Sequence, residues 1–318
     1  MTITETPAAG EFTMTSGCDS NSCDDIPPLQ LQLREILHDA RERGECTGNY
    51  ADAVERMMVE GLPLMTDNTV RVGHLVHRCL RAEANVDGAD LSKTLRAPDL
   101  KVGRDGGERV SLPTDIPPEA REFHELTRLR RSTPVFSFEP LSLGQLAAAL
   151  EMTFASKGLD RAYQRRDVPR RVFPSAGGLQ SMDIHVLVNN VAGLERGHYE
   201  YDPLDHSLVL AEAGDFRVPV VEASFATNWL MHAQVVIAIV GNYERVAWKY
   251  GTRGYRYMAM DAGVACGQLY LAAASLGLAV NAVAAFQDDA TNRLLRVDGR
   301  NHFTQVLVTL GNKPGVRR

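Results

Sequence analysis

An α+β fold, a mixed sheet flanked by helices, is what this sequence predicts, and three stretches carry the prediction. Residues 235–240 are an unbroken apolar and largely β-branched run, the composition of a strand buried on both faces. Residues 255–276 read as one long, very apolar helix that stops at Gly277, a residue suited to the left-handed turn at a helix end. Residues 198–201 read as a strand closed by the turn pair Asp202-Pro203, with residues 208–210 returning as its hairpin partner.

The other elements follow in chain order. Residues 1–28 are rich in Thr, Ser, Gly, Asp and Pro and are expected to be a disordered tail. Helical spacing then begins: Leu33, Ile36 and Leu37, then Ala53, Val54, Met57 and Met58, then Val72, Leu75, Val76, Cys79 and Leu80. Residues 29–84 are therefore expected to form a small helical module. Residues 85–117 are polar, contain Gly106-Gly107, and read as a linker to a main domain at 118–318. That domain opens with a helix at 118–130 and a second at 143–152, for which Ser142 is the expected N-cap. A strand at 184–188, a helical stretch at 216–225 and final strands at 280–285 and 306–310 complete it. Residues 262–287 carry no charge and match a membrane span in length. Their Gly, Gln, Ser and Asn content reads instead as a buried helix, a glycine stop and a buried strand, so no membrane role is expected.

Composition narrows the function. The chain has 34 Lys plus Arg against 40 Asp plus Glu, a formal charge of −6, which argues against a nucleic-acid partner. Residues 1–16 have no basic residue and no apolar core, so no secretory signal is expected. The five cysteines (Cys18, Cys23, Cys46, Cys79 and Cys266) form no C-x-x-C unit. No metal site is expected, and a reduced, cytoplasmic setting fits best. Dinucleotide, Walker-loop, serine-hydrolase and zinc-protease signatures are all missing.

Three clusters could carry chemistry. Arg128, Arg130, Arg131 and Ser132 offer guanidinium groups and a hydroxyl, the donors that grip phosphate, although cations also collect at ordinary helix ends. Pro174, Ser175, Ala176, Gly177 and Gly178 form a small-residue loop whose backbone could approach a flat ligand closely. Trp248 to Tyr257 hold three tyrosines and three cations between the buried strand and the long helix. Tyr and Lys act as acid or base where surroundings shift their pKa; the plainer reading is aromatic packing at a helix start.

Taken in order, these clusters resemble the SagB-type dehydrogenases of the nitroreductase-like flavoprotein superfamily. The resemblance rests on Arg130-Arg131-Ser132 with Phe136 and residues 140–146, and on residues 174–178 running into residues 183–186. It continues through residues 199–203 with His206 and Leu208, then through residues 254–257 with Gly263, Gln268 and residues 271–278. It covers about residues 120–312. It implies a nitroreductase-like fold and a homodimer with FMN at its interface. Arg130, Arg131 and Ser132 would hold the phosphate, Pro174 to Gly178 would lie along the isoalloxazine, and Val283 and Ala284 would stand near the cofactor. One position departs: where the family often has another Arg, two residues after the Ser, this chain has Pro134.

Lys249-Tyr250 resembles the Lys-Tyr pair of azoline dehydrogenases, which oxidise thiazoline and oxazoline rings of peptide natural products to thiazoles and oxazoles. Such an oxidation removes a ring proton as well as a hydride, so a base should face the flavin across the substrate. Lys249 and Tyr250 are the expected catalytic residues, an azoline-containing peptide the expected substrate, and a cyclodehydratase a fitting partner. Two other readings stay open: an NAD(P)H-dependent nitroreductase-like reductase, and a flavin-binding or flavin-free structural subunit of a biosynthetic complex.

Overall fold

The computed structural model describes His77 and residues 109–162, 165–225 and 227–315. Contacts divide the chain into Met1–Leu64 and Met65–Arg318, and every described residue belongs to the second unit. The tail expected at 1–28, and the helical module (29–84) and linker (85–117) except for His77 and residues 109–117, lie outside the described residues.

In chain order the elements are α1 (Arg121–Leu129), β1 (Leu141–Ser142), α2 (Leu143–Phe154), β2 (Ser156–Ala162), β3 (Arg165–Arg171), β4 (Met182–Val188), β5 (Val191–Ala192), β6 (Gly197–Asp202), β7 (Ser207–Ala213), α3 (Arg217–Glu222), β8 (Val235–Asn242), α4 (Glu244–Tyr250), α5 (Arg253–Ser275), β9 (Leu278–Val283), α6 (Asp288–Leu294) and β10 (His302–Asn312). Six strands form one sheet in the order β7-β6-β4-β8-β10-β9, every neighbouring pair antiparallel, so the main sheet is antiparallel where a mixed one was expected. The parallel pairing is β1 with β5, and β2 with β3 form a separate antiparallel ribbon.

The buried run does what its composition requires. All eight residues of β8 are buried. Ile237 and Ile239 point into a core under α2 and α5, while Val236, Ala238 and Val240 point into a second core on the other face. Phe216, Val220 and Val221 around α3 and Leu230 cover that second face. Gly241 leaves room for Met258 of α5: a Cβ there would lie 2.6 Å from the Met258 sulfur, so that side chain would have to shift. α5 ends where expected, with Gly277 at φ +69.

Ser142 caps α2 as expected. Its Oγ accepts the Gln145 N–H at 3.1 Å, and Gln145 Oε1 accepts the Ser142 N–H at 3.2 Å, a capping box that contributes about 1 kcal/mol. Elsewhere the structure departs from expectation. Of the stretch 216–225 only Arg217–Glu222 is α-helix, and Phe225 sits at φ +49. Residues 244–250, which include the start of the Trp248–Tyr257 cluster, form a helix of their own. The β2–β3 ribbon and α6 were not foreseen.

Candidate functional site

α1 ends at Leu129, and Arg130 leaves the helix with an extended ψ of 124°. The chain then runs along the edge of the sheet, where the Thr133 N–H donates to the Val280 carbonyl of β9 at 2.8 Å. This contact brings the first cluster to β9. The Ser132 hydroxyl lies 3.2 Å from the Tyr270 hydroxyl, which also accepts the Ala282 N–H at 2.8 Å. The Arg130 guanidinium stands 5.8 Å from the centre of the Tyr270 ring. Arg131 behaves differently: its Nη1 donates to the Arg128 and Arg130 carbonyls, both at 2.8 Å, folding it onto its own helix end. Val283 and Ala284, expected near the same ligand, follow Ala282 directly. Sequence reasoning missed Tyr270; its signal was an aromatic hydroxyl within the uncharged stretch 262–275 of the helix.

The Pro174–Gly178 loop is fastened to α5 by Asp261. This carboxylate, 4% exposed, accepts the Ala176 N–H at 2.8 Å and the Ser181 hydroxyl at 2.9 Å. Burial raises its pKa, and the two hydrogen bonds oppose that shift by favouring the charged form. Ser175 Oγ accepts the Gln180 N–H at 3.0 Å, and Gly177 and Gly178 take φ of +59 and +69. At the stem of the loop Arg171 is 7% exposed, and burial holds its guanidinium down to about pKa 10. Its Nε and Nη1 meet no acceptor among the described residues.

Lys249 and Tyr250 occupy the last turn of α4. The Lys249 ammonium lies 4.8 Å from the centre of the Tyr250 ring, which packs edge-on against Tyr257 at 4.8 Å. Arg245 of the same helix reaches Asp183 Oδ1 at 2.6 Å and the Gln180 carbonyl at 3.2 Å. The helix carrying the pair is thereby tied to the segment that follows the loop. Sheet register agrees, since Met182 at the start of β4 lies opposite Gly241 near the end of β8. The loop and the Lys-Tyr pair therefore share one end of the sheet.

The expected site residues thus fall into two groups. Arg130 and Ser132 gather around Tyr270, while the loop gathers at Asp261 beside the helix of Lys249 and Tyr250. Of the two residues expected after β9, Val283 packs into the core on the other face of the sheet and Ala284 lines a separate cavity. Tyr270 and Asp261 are nine positions apart on α5. At 1.5 Å and about 100° per residue that is roughly 13 Å along the helix and half a turn around it. Within one chain the two groups engage opposite faces of the helix.

Comparison with known proteins fixes the lineage: the profile of the nitroreductase family matches residues 127–312. The chain belongs to the nitroreductase family. A Methanocaldococcus jannaschii protein that carries the name nitroreductase is 32% identical over 186 residues, spanning 58% of this chain and 87% of its own. A crystal structure from Anabaena variabilis, described as a nitroreductase, superposes with a TM-score of 0.53 at 28% identity over 64% of this chain. The match spans only 41% of the Anabaena chain. A chain of the Escherichia coli microcin synthetase McbBCD complex, with truncated pro-MccB17 bound, shares the fold with a TM-score of 0.55 at 22% identity, covering 73% of this chain and 84% of that one. The nitroreductase-family membership makes the chain an oxidoreductase. Among the described residues no helix is long and apolar enough to cross a membrane.

Proposed function

We propose that this nitroreductase-family chain is an FMN-dependent azoline dehydrogenase, working in the cytoplasm as a homodimer on thiazoline- or oxazoline-containing peptides. The observation that carries the reading is the position of Lys249 and Tyr250 on a helix that Arg245 ties to the segment following the Pro174–Gly178 loop.

The residues fit FMN. Arg130 with the Ser132 and Tyr270 hydroxyls makes a donor set suited to a phosphate. Gly177 and Gly178 give the loop a left-handed turn, and a Cβ at Gly178 would meet nothing within 4 Å, so the backbone is open to a flat ring. Bound FMN would supply the hydride acceptor. Lys249 and Tyr250 would take the ring proton, since oxidation of an azoline removes a proton as well as a hydride. Molecular oxygen would serve as the terminal acceptor, and a cyclodehydratase as the partner that supplies the azoline.

The split site supports a dimer, because a ligand held by both groups would take the Tyr270 side from one chain and the loop from another. Exposed apolar surface supports it too. Phe123 and Leu129 on α1 are 60% and 67% exposed, and Met260 and Val264 on α5 are 60% and 42% exposed. Likeness to a chain of the microcin synthetase complex supports a peptide-modifying setting. The name of the M. jannaschii relative favours the second reading, an NAD(P)H-dependent reductase.

One assay separates the two. A cyclodehydrated peptide incubated with the enzyme in air should lose two hydrogens per ring, read by mass spectrometry. Unchanged peptide mass together with rapid bleaching of the flavin by NADPH would establish the reductase instead.

A further inference from the structure

A cavity of about 380 Å³ opens beside Ala284 and Ala285, walled by His77, Phe225, Tyr255, Phe286 and Asp288. This volume lies within the range of pockets that hold small organic groups, roughly 300–1,000 Å³. His77 stands well before the family span of 127–312. It is nonetheless 4% exposed, its ring stacked on Phe303 with centroids 3.5 Å apart and planes 23° apart. Tyr255 lies nearly parallel to the same Phe303 ring, at 6.1 Å and 21°. Burial, and then the charge of Asp288, push the Tyr255 hydroxyl up to about pKa 12, so it remains a neutral hydrogen-bond donor near neutral pH. At the rim Phe225 is 54% exposed and held at φ +49, a conformation uncommon for a bulky residue. Aromatic walls with a few polar groups suit a flat, weakly polar ligand.

We propose that this cavity is a subsite for a planar ring of the peptide next to the azoline, and that His77 gives sequence ahead of the family domain a part in selecting the substrate. The inference rests on the dehydrogenase reading. An aromatic side chain and an azole already formed share the required chemistry, and the choice of peptides separates them.

The test uses the full-length, FMN-loaded protein and three peptides with an azoline followed by alanine, phenylalanine or a thiazole. Affinity is read by titration calorimetry, independently of turnover. The wild type should bind one or both ring-bearing peptides about tenfold more tightly than the alanine peptide. Preference for phenylalanine alone assigns the subsite to side chains, and preference for thiazole alone assigns it to earlier products. His77→Ala should abolish the preference while retaining FMN, and His77→Phe should keep most of it. Phe225→Ala, at an exposed position on the rim, should also reduce the preference and serves as the test if His77→Ala fails to fold. Equal affinity for all three peptides in the wild type overturns the proposal, as does an unchanged preference in both alanine variants. Loss of FMN in His77→Ala also overturns it, by making the cavity cofactor space. Intact ring preference without any ring oxidation sinks the dehydrogenase reading and leaves the subsite standing.

Discussion

Asp261 and Tyr270 share α5 but serve opposite faces of it: Asp261 anchors the Pro174–Gly178 loop through Ala176 and Ser181, and Tyr270 holds Ser132 and the Ala282 N–H. One helix therefore anchors both the proposed phosphate grip and the proposed ring-facing loop, which in the proposed dimer face different ligands. Changes along α5 should reach both.

At the Tyr270 end, Arg130→Ala should weaken FMN binding by roughly 1.5–3 kcal/mol, the scale of one charged hydrogen bond. Arg131→Ala should cost less, because Arg131 is already turned onto the Arg128 and Arg130 carbonyls. Heat-released FMN, quantified by absorbance, reads both. A larger loss in Arg131→Ala would reverse their order and implicate a rearranged helix end.

Asp261→Ala should strip two hydrogen bonds from the loop and leave the Ala176 N–H and the Ser181 hydroxyl without partners. Each such loss costs about 1–3 kcal/mol. Asp261→Asn, which keeps one acceptor, should fall between. Thermal melts and turnover measured together decide the matter: a variant with unchanged melting and full turnover would show that the anchor is dispensable.

Exchange of Lys249 for Met, or of Tyr250 for Phe, should leave FMN content intact and reduce azoline oxidation by roughly 10²–10⁴-fold, the usual worth of an acid–base group. Wild-type rates in both variants would remove the pair from the chemistry.

The dimer can be probed on the exposed side of α5. A Cβ at Gly263 or Gly267 meets nothing within 4 Å in the single chain. Gly267→Ala should therefore be tolerated and favour the helix by up to about 1 kcal/mol. Gly267→Trp should block close packing and yield an FMN-poor monomer by light scattering. A wild type that is a stable, FMN-loaded monomer at low micromolar concentration would defeat the dimer.

Stability should depend on pH through a buried histidine pair. His185 Nδ1 and His198 Nε2 lie 2.8 Å apart, and burial pushes both imidazoles down to about pKa 4, the neighbouring ring adding to the shift of His198. Their unfolded value is near 6.5, so between about pH 6.5 and 4 the unfolded chain binds more protons than the folded one. Stability is thus full above pH 6.5 and declines as pH falls through that window. Tm should drop by about 5 °C or more between pH 7 and 4.5, and His198→Phe should flatten the slope. Equal slopes in both proteins would assign the effect to carboxylates.

What the sequence determined by itself is what local composition determines. The β8 run, the α5 helix with its Gly277 stop, the Ser142 cap and the β6–β7 hairpin each follow from side-chain periodicity or backbone preference within a few residues, and each stands where it was expected. The same reading picked out the Arg-Ser cluster, the small-residue loop and the Lys-Tyr pair as types of chemistry. Only the tertiary structure decided their arrangement. The β2–β3 ribbon carries the charged segments SKGLDRA and RRDVPRR, whose pairing no alternating pattern announces. Asp261 and Tyr270 look like single polar residues in a helix until packing brings Ala176, Ser181, Ser132 and Ala282 to them. His77 gains its place through a stack on Phe303, far along the chain. Secondary structure is written in neighbouring residues; a site is made by contacts between distant ones, and those form only once the sheet and α5 have set the distances.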